Sequence, residues 1–350
     1  MTTKTLLSIV CLLMQMQVTQ LSAKDITRIA FGSCAKESKK QAIWEAIIED
    51  RPDVFAMLGD NIYADTDDAE VIKTKYKSLA EKPGFKKIRK NTQIVATWDD
   101  HDYGQNDIGK AYPTKEASRR AFLEFFEEPK DSPRWTQEDG IYTAYEWDSQ
   151  DHTVQFILLD TRWQRDDLDA VTEKEYFSER APNNLGPYKP TQDTRRRMIG
   201  DEQWEWLEDQ LRKPADLRII ASSIQLLPEF SGWESWANFP HERQRMFDTI
   251  KNANGVLFIS GDTHWAEFSR VDFKDYYPLW ELTSSGLTEE WKQVSPNKHR
   301  LGEYTHNANY GLIEIDWEAI SPSVTLSIKN SDGNIQFQNT IRISDLKFCN

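Results

Sequence analysis

Ile94-Val95-Ala96-Thr97-Trp98 runs straight into Asp99-Asp100-His101-Asp102, a short segment closed by three carboxylates and an imidazole. A run this short, with branched side chains and a polar stop, reads as a buried strand. Four acidic or imidazole groups directly after it cost desolvation and mutual repulsion, so a role is expected of them. The same signature recurs on both sides. Ile26–Phe31 ends in Gly32-Ser33-Cys34, and Val54–Leu58 ends in Gly59-Asp60-Asn61, with Tyr63 and Asp65 just beyond. Val154–Leu159 ends in Asp160-Thr161-Arg162, Ile219–Ala221 in Ser222-Ser223, and Val256–Ile259 in Ser260-Gly261-Asp262-Thr263-His264.

Helical patterns lie between these runs. Ser38-Lys39-Lys40-Gln41 has the form of a capping box, with Ile43, Ala46 and Ile47 on one face behind it. Ala117, Ala121, Phe122 and Phe125 make a second stripe. Trp204, Leu207 and Leu211 follow Asp201 as an N-cap, and Met246, Phe247 and Ile250 mark a fourth helix. Strands alternating with helices predict an α/β layered core. Leu312–Ile315, Val324–Ile328 and Phe337–Ile343 are strand-like, with a turn at Asn330-Ser331-Asp332-Gly333. They read as extra strands on the same sheet system, with no second domain. Two long loops, 163–200 and 228–240, are candidates for function. Trp233 and Trp236 in the latter could wall a pocket or simply pack. Arg195-Arg196-Arg197 could attract an anion, but a solvated face is the plainer reading.

The chain has 350 residues, a formal charge of −14, and 13 Trp, 12 Tyr and 16 Phe, enough to bury a large core. So acidic a protein repels duplex phosphates over long range, which argues against binding along nucleic acid. If it acts on a phosphate ester, positive charge must be supplied locally. Lys4, the apolar stretch from Thr5 to Val18 and Leu21-Ser22-Ala23 together read as a signal peptide over residues 1–23. The expected product is a secreted or periplasmic domain over 24–350 with no stable membrane span and no indication of its oligomeric state. Removal of Lys4 takes the charge from −14 to −15. Cys34 and Cys349 could pair in an oxidising compartment, although Cys349 sits in a tail expected to fray.

Sites in layered α/β proteins form outside the strand ends, and these ends carry ligand-type groups. Clustered carboxylates favour hard cations such as calcium, whereas thiolate and phenolate favour a more polarising metal such as iron. Metals so placed can clamp a phosphate and activate a water for in-line attack. Taken singly, Gly-Asp is an ordinary turn and Cys34 an ordinary small apolar residue. The weight comes from finding all of them at strand ends of one chain.

Six phrases in order, FGSCA (31–35), LGDNIYAD (58–65), WDDHDYG (98–104), LLDTRWQR (158–165), MIGDEQWEWL (198–207) and SGDTHWAE (260–267), resemble the alkaline phosphatase D family of PhoD-like metallophosphatases. The resemblance covers about residues 26–290. It implies a metallophosphoesterase sandwich, two β-sheets flanked by helices in a single domain. It implies cleavage of phosphomonoesters and phosphodiesters, small or polymeric, at alkaline pH with Fe3+ and Ca2+. Cys34, Asp60 and Tyr63 would bind iron. Asp60 would bridge to calcium, with Asp100, Asn106 and Asp262 as its other ligands and Asp99 and His264 as further candidates. His101 and Arg162 would face the substrate phosphate, the first as acid for the leaving group and the second as a charge clamp, while Asp102 would orient His101. The early first strand leads us to expect no N-terminal β-domain of the kind found in longer members. Two other readings compete: a dizinc or dimanganese phosphoesterase, disfavoured by how few histidines fall in motifs, and a secreted calcium-binding protein without catalysis.

Overall fold

The computed structural model describes residues 26–149, 151–274 and 276–348. The expected signal peptide and Cys349 lie outside them. Among the described residues fifteen strands are formed: β1 (Arg28–Gly32), β2 (Val54–Leu58), β3 (Gln93–Thr97), β4 (Thr143–Ser149), β5 (His152–Leu158), β6 (Asp169–Ala170), β7 (Tyr188–Lys189), β8 (Leu217–Ala221), β9 (Val256–Ser260), β10 (Ala266–Val271), β11 (Leu279–Ser284), β12 (Arg300–Thr305), β13 (Asn309–Asp316), β14 (Ser323–Asn330) and β15 (Ile335–Arg342). Seven helices matter for the site and its support: α1 (Ile43–Glu49), α2 (Ala69–Ala80), α3 (Pro83–Asn91), the single turn α4 (Asp100–Tyr103), α5 (Lys115–Phe125), α6 (Asp201–Arg212) and α7 (Pro240–Ile250).

Two large sheets result, ordered β15-β14-β13-β1-β2-β3 and β12-β10-β11-β9-β8-β5-β4, with β6 and β7 as a small separate ribbon. β1, β2 and β3 run parallel in one sheet, and β5, β8, β9 and β11 in the other. The three C-terminal strands join the first sheet antiparallel through β13 beside β1. They extend the same sheet, as expected, and the Asn330–Gly333 turn joins two of them with Gly333 at φ 78°.

Strand alternation divides the core. Ile29, Phe31, Val54, Ala56, Leu58 and Val95 join the buried side chains of the second sheet, together with Trp204 and Leu207 of α6 and Met246 of α7. Ala30, Phe55, Met57 and Ala96 face the other way, against α1, α2, α3 and α5 through Trp44, Tyr76, Phe85 and Phe122. α2 is started by Asp68, whose side chain accepts from the Glu70 N–H at 2.9 Å.

Two local expectations fail. Ser38 caps no helix: α1 begins at Ile43, and Gln41 instead donates to the carbonyls of Ala35 and Lys36 while accepting from the Trp44 indole. These bonds hold the turn that follows Cys34. Asp201 lies inside α6, and Gly200 is its N-cap.

Gly59 closes β2 at φ +100°, and a Cβ there would stand 2.4 Å from the Asp99 Cβ. Gly59→Ala combines backbone strain with overpacking and is expected to cost about 3 kcal/mol or more, readable as a lowered urea midpoint.

Candidate metal centre

The parallel strands of both sheets deliver their C-terminal ends to one place. Cys34 arrives from β1, Asp60 from β2, Asp99 to Asp102 from β3 and α4, Arg162 from β5, and Asp262 and His264 from β9. Among the described residues nine non-glycine residues have positive φ, and six of them are here: Cys34, Asp60, Asp65, Asp107, Asp262 and His264. Strain of this kind costs stability and collects where geometry matters to function.

One carboxylate oxygen from each of Asp60, Asp99, Asp100 and Asp262 lies within 4.8 Å of the other three. Ligand atoms of Cys34, Asp60 and His264 form a second such group, and Asp60, Asp100 and His101 a third. The Cys34 thiol is free and buried, 3.5 Å from the Asp60 carboxylate, to which it donates, and 3.1 Å from the Ser285 hydroxyl. The Tyr63 hydroxyl is 3.1 Å from His264 Nε2.

The electrostatics are those of a site that attracts cations. Burial, then the charges of Cys34, Asp100, Asp99 and Asp262, push the Asp60 carboxyl well above its usual range. Burial and the neighbouring carboxylates do the same to Asp262. Burial raises the Cys34 thiol to about 12, and burial and the Cys34 charge raise the Tyr63 phenol. Burial raises Asp99 to about 8 against the pull of Arg162. Its Oδ2 is buried and accepts no hydrogen bond. An orphaned carboxylate oxygen among crowded acids, with a thiol and a phenol alongside, fits the binding of cations that would reverse each of these penalties. The donor set therefore fits the metals expected of it.

Two roles differ from expectation. Arg162 does not face the cavity. It is fully buried; its Nε lies 2.5 Å from Asp99 Oδ1, its Nη2 is in ion-pair contact with that oxygen, and its Nη1 lies 2.6 Å from Glu234. Glu234 is in turn held by Arg165 at 2.8 Å. Asp102 does not orient His101. It accepts from the backbone N–H groups of Asp60, Asn61 and Asp99, from the Asn61 amide and from Tyr76, bracing the β2 and β3 loops together. The partner of His101 is Asp65, whose Oδ1 lies 2.6 Å from Nδ1, while Tyr63 stacks on the ring at 4.3 Å. Burial pulls His101 down, but the Asp65 bond and the Asp100 charge outweigh it and raise it to about 9.

Two acids at the site, Asp107 and Glu234, were not singled out by the sequence reading. Their carboxylates group with Asp100 within 4.8 Å. Asp107 donates its N–H to Asp100 at 2.6 Å and accepts from Tyr188 and Asn106. Asn106, expected as a calcium ligand, lines the cavity. That cavity is about 170 Å³ and is also lined by His101, Asp262, His264, Trp233, Trp265 and Trp291. Trp236 is buried packing, bonded to Ser222. Arg195, Arg196 and Arg197 pair with Asp193, Asp169 and Asp201 away from the cavity.

A family model described as PhoD-like phosphatase matches residues 29–337. The chain belongs to this family. PhoD-like phosphatases are metal-dependent, which accords with the clustered acids, and membership makes this protein a metal-dependent phosphoric ester hydrolase. A comparison with curated sequences finds no match. Among solved structures, a structure of PhoD superposes with TM-score 0.67 at 19% identity, covering 90% of this chain and 68% of that one. The Plasmodium inner-membrane-complex anchor GAP50 gives 0.58 at 14% identity, covering 90% and 88%. A dimetal phosphatase from Danio rerio gives 0.56 at 13%, covering 91% and 99%. These likenesses show the shared fold, the two-sheet sandwich. No helix among the described residues is long and apolar enough to cross a membrane.

Proposed function

We propose that this PhoD-like phosphatase cleaves phosphomonoesters or phosphodiesters at alkaline pH with iron and calcium, and that it works outside the cytoplasm, as its N-terminal apolar stretch suggests. The observation that carries the reading is the adjacency of two donor sets, one with a thiol and a phenol and one of carboxylates only, sharing Asp60. Cys34, Asp60 and Tyr63 would hold iron, with His264 beside them. Asp60, Asp99, Asp100, Asn106 and Asp262 would hold calcium. When bound, the metals supply a Lewis acid for the phosphate oxygens and a water of lowered pKa.

The protein's own groups do the rest. His101 stands in the cavity wall with Nδ1 engaged by Asp65, leaving Nε2 to give its proton to the departing oxygen. Tyr63 limits the tilt of that ring. Asp102 fixes the loops that carry Asp60 and Asp99, and Arg162 fixes Asp99 and Glu234. Trp233, Trp265 and Trp291 line the same cavity beside these groups.

Metal analysis of purified protein, with a visible spectrum and a panel of esters, tests the reading. A visible band lost in Tyr63→Phe, and activity lost on chelation, are expected. An active, colourless protein holding only zinc would remove the Cys34–Tyr63 assignment. Asp65→Asn is expected to lower kcat by roughly 10–100-fold with metal content and Tm unchanged, because it loosens His101 without touching a metal ligand.

A further inference from the structure

We infer that Ser33 and Ser285 are positioning residues whose hydroxyl protons cradle the Cys34 sulfur and set how strongly it donates to a bound ferric ion. This rests on the iron reading proposed above and adds residues outside its ligand set.

The two serines arrive from different sheets: Ser33 directly follows β1, and Ser285 directly follows β11. Both are at most 1% exposed. Their hydroxyl oxygens lie 3.3 Å and 3.1 Å from the Cys34 Sγ. Each oxygen also accepts a backbone N–H, Ser33 from Asp262 at 3.2 Å and Ser285 from His264 at 2.9 Å. The sulfur is thus tied through both serines to the loop that carries Asp262 and His264. A Cβ at Gly261 would stand 2.4 Å from the Ser33 Oγ, so the bare backbone beside Asp262 is what leaves room for that hydroxyl.

A serine hydroxyl has one proton to give and two lone pairs to offer. Beside a protonated thiol, either the oxygen or the sulfur can be the donor. A metal-bound sulfur carries no proton, so both hydroxyls must then donate to it. The Asp60 carboxylate at 3.5 Å and the Asp262 carbonyl at 3.7 Å are acceptors and cannot take that part. Nor can solvent, because Cys34 is fully buried. Hydrogen bonds to a ligating sulfur draw charge from it and are one of the protein's means of setting a metal's reduction potential. Here two such bonds would restrain a thiolate whose full donation would blunt the Lewis acidity that phosphate-ester hydrolysis asks of the metal. The serines thus let the site use a sulfur ligand and keep the bound ion electron-poor.

The test uses the full iron-loaded protein, its visible spectrum and its reduction potential. In Ser33→Ala and in Ser285→Ala the sulfur-to-iron charge-transfer band should move to longer wavelength and the potential should fall. Both changes should be larger in the double variant. Its kcat/KM for an aryl phosphate should drop by roughly 10–100-fold with iron content retained. Ser285→Thr keeps the hydroxyl and should hold the band and the potential at their wild-type positions. Iron-loaded alanine variants whose band and potential match wild type, with only the melting temperature lowered, would show that the hydroxyls serve the backbone alone. That result would overturn the inference while leaving the iron reading intact. A wild-type protein that binds no iron would overturn both. Each hydroxyl reaches the sulfur independently, so if one alanine variant fails to fold, the shift in the other decides.

Discussion

Asp262→Asn is expected to abolish most activity and at the same time raise the melting temperature of the chelated protein. The buried carboxylates of Asp60, Asp99, Asp100 and Asp262 lie so close that burial and mutual charge push Asp60, Asp99 and Asp262 upward. Each is a cost to the fold when no cation is bound. An amide in place of one carboxylate keeps the shape and removes a charge, which should relieve roughly 1–4 kcal/mol. At about 2–4 °C per kcal/mol for a domain somewhat smaller than this one, the chelated variant should melt several degrees higher. With metal added the order should invert, since wild type gains binding energy that the variant lacks. Turnover should fall by roughly 10²–10³-fold or more. Thermal denaturation with and without chelator reads the first effect, and metal stoichiometry the second. A chelated Asp262→Asn protein melting below wild type would show that these acids are not held against their own repulsion.

Arg162→Met is expected to destabilise strongly. The side chains of Asp99, Arg162, Glu234 and Arg165 are at most 2% exposed and form one charged row through the interior. Removing Arg162 strips the one counter-charge from Asp99 and one of two from Glu234. Breaking a buried pair in this way costs about 3–5 kcal/mol, because the remaining charges cannot reach water. A urea midpoint lowered accordingly, with activity following the folded fraction, is the expected result. If Arg162 instead clamped substrate, kcat/KM would fall while the urea midpoint held.

Much of this was legible in the sequence because each strand announces its own end. Val54–Leu58 matches β2 residue for residue, and the polar groups that follow it do converge with those after β1, β3 and β9. What was not legible depends on partners distant in the chain. β10, β11 and β12 were missed; β12 is mostly exposed, and its sequence carries no apolar run. Glu234 has no motif around it, and its meaning comes from Arg162 and Arg165 some seventy residues earlier. Asp65 takes the role that order along the chain suggests for Asp102. The α4 turn points Asp102 back toward the β2 loop, whereas Asp65, at positive φ, turns toward His101. Arg162 misled for the opposite reason: a lone arginine at a strand end looks free until Glu234 is placed against it.

The antiparallel union of β1 with β13 bears on how the chain is made. Arg28 pairs in register with Glu314, so the first strand and one of the last are neighbours in the same sheet. A chain emerging from the ribosome can pair β1 with β2 and β3 early, yet the other edge of β1 stays open until nearly the whole polypeptide has appeared. Closing so long a loop makes that pairing slow. Until then, the half-built sheet offers an unpaired apolar edge, the feature that chaperones recognise and that aggregates grow from.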